Sequence, residues 1–384
     1  MSSELNIELP RTVDVGAIDR ELRNLWREAS SDTAHPVARA RILNLVVFVD
    51  APELEAVADM AAELAVHHPA RTILAALDLD SKEERLEAEV SARCHLSFGQ
   101  RKQICSEQVV IRAAGNRIDD VHGVVLPLLT SDLPTFMWWR SSKWPSGRSF
   151  RSISASCDRV ILDSSRLADS PSGVSSLDAF MRDKSRGPGA RFSVADLNWS
   201  RLTPWRIALA ELYDLASYRT YLNRAGRFTL TYSAGNNQTG KSGSPPASAL
   251  LAAGWLSSRL GWGWAGKVAK NGGEHSIGFD KGGRHIELIL SPASTPVAPA
   301  ESGTVDGLKI ETESEPSATF SIQLADGCLE TRIELNGRAQ VPRIVGCGAA
   351  SDPDLVGEEL DIIGRDAAYE DAVTAGANIA NALG

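Results

Sequence analysis

A lysine and a hydroxyl at the end of a glycine-rich loop can hold phosphate and magnesium, and Gly235-Asn-Asn-Gln-Thr-Gly240-Lys241-Ser242 has that spacing. Arg227 to Tyr232 ahead of it reads as a strand. A phosphate-binding helix must begin at the Gly-Lys-Ser step, however, and Gly243, Pro245 and Pro246 stand where its first turns belong. Both apolar runs ending in a magnesium-type aspartate, Arg41 to Asp50 and Arg159 to Asp163, precede the loop instead of following it. The reading is a flexible Gly/Asn/Ser loop; a P-loop-like nucleotide-binding enzyme using Gly235–Ser242 is the alternative. Gly261-Trp-Gly263-Trp-Ala-Gly266 spells a dinucleotide fingerprint but follows a helical stretch, with indoles where a cofactor must approach the backbone.

Other reactive side chains stay scattered. Asp50 and Asp163 each end an apolar strand, with Ser164 beside the second, and turn or capping roles suit them better than a pocket. His67 and His68 precede Pro69 at a helix end, where imidazole meets the last carbonyls, and no third metal ligand accompanies them. Ser-His-Asp, Cys-His and HExxH contexts are missing. The expectation is no catalytic residue, no metal and no cofactor. Cys94, Cys105, Cys157, Cys328 and Cys347 are an odd, widely spread set, which suggests a reducing compartment.

One segment does concentrate chemistry. Trp138, Trp139, Arg140, Lys143, Trp144, Arg148 and Arg151 fall close together, and indole and guanidinium groups are favoured anchors of protein interfaces. They also stack on nucleic-acid bases, but the chain carries 49 acidic against 40 basic residues, a net charge of −9, and no RNA-binding signature. A protein partner is the better fit, with single-stranded nucleic acid as the weaker idea. Trp138 and Trp139 alternate along a strand, so one of them is expected to face the core.

The elements that position these groups follow from periodicity. Val13 to Glu28 carries Ile18, Leu22, Leu25 and Trp26 on one helical face. Arg41 to Asp50 is a continuous apolar run typical of a strand covered on both faces; the helix Glu53 to His67 and the strand Arg71 to Leu77 complete a βαβ unit. Leu86 to Leu96 and Cys105 to Ala113 suit an antiparallel hairpin on the same sheet. A helix over Asp119 to Leu129 and strands at Pro134 to Trp139 and Arg159 to Asp163 follow, and the polar run Ser164 to Ser176 marks a boundary. Beyond it, Thr203-Pro204 opens a helix carrying Trp205, and another helix spans Pro246 to Leu260, ended by Gly261. Strands are expected at Arg227 to Tyr232, His285 to Leu290, Leu308 to Thr312 and Thr319 to Leu335, the last broken at Asp326-Gly327. Ser291 to Gly303 is a connection, and Asp354 to Leu383 a single closing helix.

The 384 residues suit two domains. The fold class is α/β: a mixed, mostly parallel three-layer α/β domain over 1–168, then an α+β domain over 169–384. The N-terminal stretch carries acids where a secretory signal needs bases, and no apolar run is long enough to span a bilayer. The expected location is cytoplasmic, with no membrane and no nucleic acid as partner.

Six ordered blocks carry a resemblance: His68-Pro-Ala-Arg71, Cys105-Ser-Glu-Gln-Val109, Asp132-Leu-Pro-Thr-Phe-Met-Trp-Trp-Arg140, Asp158-Arg-Val-Ile-Leu-Asp-Ser164, Leu202-Thr-Pro-Trp-Arg206 and Ala253-Gly-Trp-Leu-Ser-Ser-Arg-Leu-Gly-Trp262. Together they resemble the glucose-6-phosphate dehydrogenase assembly protein family, OpcA, from about Arg41 to Trp262. The resemblance implies a non-catalytic protein that binds glucose-6-phosphate dehydrogenase and promotes its active oligomer, supporting the oxidative pentose phosphate pathway and NADPH supply. In that reading Trp138, Trp139, Arg140, Trp144, Trp205 and Arg206 are the candidate partner contacts. The Gly235 to Pro246 loop has no counterpart in the family pattern.

Overall fold

The computed structural model describes residues 6–7, 11–29, 37–96, 103–145, 147–167, 170–184, 192–233, 244–293, 303–312 and 315–384. The chain divides into two compact units, each discontinuous. The first comprises Met1–Leu162, Pro188–Ala195 and Ser351–Arg365; the second comprises Asp163–Gly187, Asp196–Ala350 and Asp366–Gly384. The chain first crosses between units a few residues ahead of the boundary expected at 168/169, and then crosses again.

The first unit is built on a mixed sheet. Its main strands run, side by side, Arg85–Leu96, Gln103–Ala114, Ala70–Asp78, Leu43–Asp50, Thr135–Trp139, Arg159–Leu162 and Ser193–Asp196. The first pair is antiparallel, and the next four pairings are parallel. Every residue from Leu43 to Val49 and from Ala70 to Leu77 is buried, which is why these strands are continuous apolar runs: helices cover both faces of a parallel sheet. The helix Leu54–His67 packs on the strand Ala70–Asp78 and against the helix Asp352–Leu360.

Polar groups inside this unit are paired. Glu107, 1% exposed, takes Arg71 Nε at 2.7 Å, Trp26 Nε1 at 2.6 Å and Arg41 at 3.3 Å. Arg159 donates through Nε to Glu359 at 3.0 Å and through a terminal nitrogen to the Gly364 carbonyl at 2.8 Å. Such a pair contributes little net stability while intact and costs several kcal/mol when one partner is removed.

The second unit has a sheet of another kind. Its order is Gly263–Asn271, Glu274–Lys281, Arg284–Pro292, Ala225–Tyr232, Val305–Thr312, Ala318–Ala325 and Cys328–Leu335, with Arg338–Ala339 and Arg343–Cys347 both paired to the last. All pairings are antiparallel except Ala225–Tyr232 with Arg284–Pro292. Phe228, Leu230, Ile286, Leu288, Leu290, Phe320 and Ile322 are buried while the residues between them are less so, the alternation of a sheet with one packed face.

The helices Ser170–Lys184, Ala247–Leu260 and Ala367–Leu383 pack together in this unit. Gly254 and Gly376 let two of them touch: a Cβ on Gly254 would collide with the Ala372 carbonyl oxygen, and one on Gly376 meets that of Leu250 at 2.8 Å. Gly261, at φ +66°, ends the helix Ala247–Leu260 in the left-handed conformation, as its place in the sequence implies.

One expectation changes here, and two elements stand where none was expected. The polar run read as a boundary follows the crossing after Leu162 and leads into the helix Ser170–Lys184, whose apolar face is narrow: Val174 and Leu177, both fully buried, supply it. The single closing helix is two, Asp352–Leu360 and Ala367–Leu383, because Asp366 caps a new start by accepting from the Tyr369 N–H at 3.0 Å. The hairpin Gly263–Asn271 with Glu274–Lys281 had no apolar run to announce its first strand. Among the described residues no helix is long and apolar enough to cross a membrane.

Candidate protein-binding site

The strand Thr135–Trp139 is paired on both sides, so its side chains are enclosed by sheet neighbours and covering helices. Trp138 is 0% exposed and Trp139 7%. The Trp139 ring lies 4.9 Å from Phe48 and 5.2 Å from Phe150, and its N–H donates to the Lys143 carbonyl at 2.9 Å. Arg140 is buried, with Glu53 at 3.6 Å, Asp352 at 3.5 Å and its guanidinium 5.7 Å from the Trp138 ring. Both indoles, not one, are core, and Arg140 is held by acids of its own unit. Burial leaves these three almost no surface to offer a partner; half-buried Trp144 keeps some.

Asp50 shows what the strand-end carboxylates do. It accepts from Ser141 Oγ at 2.5 Å and from Ser142 N and Oγ at 3.1 and 2.8 Å, fastening the turn after the next strand. Asp163 accepts from Ser165 N and is gripped by both terminal nitrogens of Arg201 at 3.0 Å. His68 Nε2 lies 3.1 Å from Asp361. Among the described residues no group of three or more His, Cys, Asp or Glu is placed to hold a metal ion.

The other candidates, Trp205 and Arg206, belong to a different constellation. Asp196 caps the short helix Leu197–Arg201 by accepting from the Asn198 N–H at 3.0 Å, and Pro204 stands in the first turn of the helix Thr203–Leu212. This juxtaposition puts the Arg206 guanidinium 3.6 Å above the Trp199 ring while its Nη2 donates to Thr203 Oγ1 at 2.6 Å. Trp199 is fixed in turn: its N–H donates to Asp366 at 2.9 Å and its ring sits 5.7 Å from Tyr369.

A pocket opens beside these groups, lined by Trp199, Leu202, Trp205, Arg206, Leu230, Ala252, Trp255, Leu256, Val305 and Leu308. Three indoles and one guanidinium line a small apolar hollow, and side chains of these types are favoured at contacts with another protein. Ile207, 49% exposed, extends the apolar surface along the same helix. Reading the sequence singled out Trp205 and Arg206 but not Trp199 or Trp255. Trp255 stands inside the Ala253–Trp262 block, and Trp199 lies six positions before Trp205, but only the fold brings them together.

A buried carboxyl lies at the base of this helix pair. Asp196 is pushed up to about 6 by burial first and by the neighbouring Asp163 charge second, against hydrogen bonds from Ser164 and Asn198 that favour ionisation. Its oxygens are occupied by the Ser164 and Asn198 N–H groups and by the Tyr369 hydroxyl, which ties it to structure instead of substrate.

The remaining motifs divide three ways. The Gly235–Ser242 loop lies outside the described residues. The Gly261–Gly266 letters form a helix cap followed by an edge strand with a bulge between Trp264 and Lys267, as expected of a chance match. Among the cysteines, Cys328 and Cys347 form a disulfide and Cys105 is disulfide-bonded, whereas reduced thiols were expected. The sequence hid the first bridge because its partners are 19 residues apart and meet only as opposite residues of paired strands. Cys157 is a buried thiol pushed up to about 12 by desolvation first and by Asp158 second.

Comparison with known proteins gives two matches that cover most of the chain. Residues 61–179 match the profile of the glucose-6-phosphate dehydrogenase subunit N-terminal domain, and residues 192–373 that of the corresponding C-terminal domain. The chain is 28% identical over 333 residues to a protein of Nostoc punctiforme carrying the name OxPP cycle protein OpcA, covering 83% of this chain and 67% of the relative. It is 28% identical over 335 residues to one of the same name in Synechocystis, covering 84% and 66%. The chain thus spans about two thirds of the length of these relatives.

Proposed function

Because the chain belongs to the OpcA family of glucose-6-phosphate dehydrogenase assembly proteins, we propose that it binds glucose-6-phosphate dehydrogenase in the cytoplasm and promotes that enzyme's active oligomer without turning over a substrate itself. The observation that carries this reading is the pair of profile matches, one on each side of residue 185, which together take in the second sheet and every main strand of the first except Leu43–Asp50. The mechanism is linkage: a protein that binds the competent oligomer more tightly than other states stabilises it in proportion to the difference in affinity. Trp205 and Arg206 beside their pocket, with Trp144 in the first unit, are the contacts we propose.

The test mixes the purified chain with the dehydrogenase of the same organism and reads both particle mass and the rate of NADPH formation. A larger complex and a faster rate are expected, and Trp205→Ala weakens both, by about ten-fold or more in affinity. A dehydrogenase unchanged in mass and rate at micromolar concentrations overturns the proposal.

A further inference from the structure

The sheet of the second unit ends in a strand that is exposed along its whole length. All nine residues of Gly263–Asn271 are exposed, its inner side pairs with Glu274–Lys281, and among the described residues no strand pairs its outer side. An unpaired edge presents a row of backbone donors and acceptors, which proteins normally bury, shorten or defend.

Two features set this edge apart. A file of aromatic rings runs out to it from the core: Phe228 to Trp262 at 4.6 Å, Trp262 to Phe279 at 5.4 Å, and Phe279 to Trp264 at 5.5 Å. Phe228 and Phe279 are buried, whereas Trp264 is 46% exposed and Val268, opposite the buried Ile277, 38%. The packed face of the sheet therefore continues onto a strand that no helix covers among the described residues. The second feature is charge. Between Gly261 and Gly273 the chain carries Lys267 and Lys270 and no acid. Opposite partners Gly278 and His275 put the two lysines on opposite faces of the strand. A second copy pairing along this edge brings lysine against lysine, so charge disfavours self-association and favours an extended acidic segment.

We infer that Gly263–Asn271 docks the dehydrogenase by strand addition, taking an extended acidic segment of that enzyme against its free edge, with Trp264 and Val268 supplying the apolar contact. The inference rests on the function proposed above and names a surface for it.

Hydrogen exchange on the full chain, alone and with the dehydrogenase, reads the edge directly. Amides of 263–271 slow by about ten-fold or more in the complex, as amides entering a ladder do. Lys267→Glu with Lys270→Glu weakens binding by about ten-fold and flattens its salt dependence, and Trp264→Ser weakens it by a similar factor. Binding that persists with unchanged edge amides, or with both variants equal to the unaltered protein, overturns this inference and leaves the proposed function standing. Protection that grows with the chain's own concentration assigns the edge to self-contact and overturns it as well. Absence of binding by the unaltered protein removes the proposed function, and this surface with it.

Discussion

The two sheets solve opposite problems. In the first unit, parallel strands are enclosed on both faces, and even the charged groups are internal: Arg159 is 2% exposed and Glu107 1%. In the second, a mostly antiparallel sheet packs one face and runs out into an edge of nine exposed residues. The indole pair that looks most like an interface, Trp138 with Trp139, is part of the enclosed sheet, whereas Trp205 on its helix and Trp264 on the edge strand keep accessible surface in the second unit. Tryptophan and arginine mark a contact only where the local architecture leaves them a way out.

The contrast is broken most directly in the enclosed sheet. Arg159→Met removes the guanidinium paired with the buried Glu359 carboxylate and is expected to cost about 3–5 kcal/mol, read as a lower urea midpoint, with Arg159→Met/Glu359→Met recovering most of the loss. Next comes the buried carboxyl of the second unit. Asp196 titrates near 6 when folded against 3.8 as its ordinary value, so the folded protein holds its proton more tightly. Stability from this group is therefore greatest below pH 4, falls as pH rises toward 6, and stays level above. Its full span is on the order of 3 kcal/mol. Unfolding of Asp196→Asn followed from pH 4 to pH 7 should lack that decline; identical pH slopes in the two proteins refute the assignment.

Smaller losses are expected at the helix contact and at the open edge. Gly254→Ala forces a methyl against the Ala372 carbonyl and is expected to cost about 1–3 kcal/mol in thermal unfolding, because the helices must separate to admit it. At the open edge, Lys270→Ala should change stability by less than about 0.5 kcal/mol, since its side chain is exposed. A large loss there shows that the edge belongs to the core after all.

The enclosed sheet was largely readable from sequence because burial on both faces writes an uninterrupted apolar run: Leu43–Asp50 and Ala70–Asp78 fall within a residue or two of expectation. The same physics misled the site reading, since a strand buried on both faces hides Trp138 and Trp139 alike. The open edge was the least readable element. Gly263–Asn271 has no buried face to impose an alternation, and its glycines and indoles spelled a cofactor motif instead. Trp205 and Arg206 stood out through their residue types and their place in the Leu202–Arg206 block, while Trp199 and Trp255 join them only through packing of separate helices.

The interleaving of the two units sets a schedule for synthesis. A ribosome that has released the first 168 residues has exposed neither Ser193–Asp196, which flanks Arg159–Leu162 in the sheet, nor Glu359, which neutralises Arg159 from 200 positions further on. The N-terminal sheet can take its final form only once Glu359 has left the ribosome, so a nascent chain stalled before that point carries an unpaired guanidinium and an open strand for chaperones to shield.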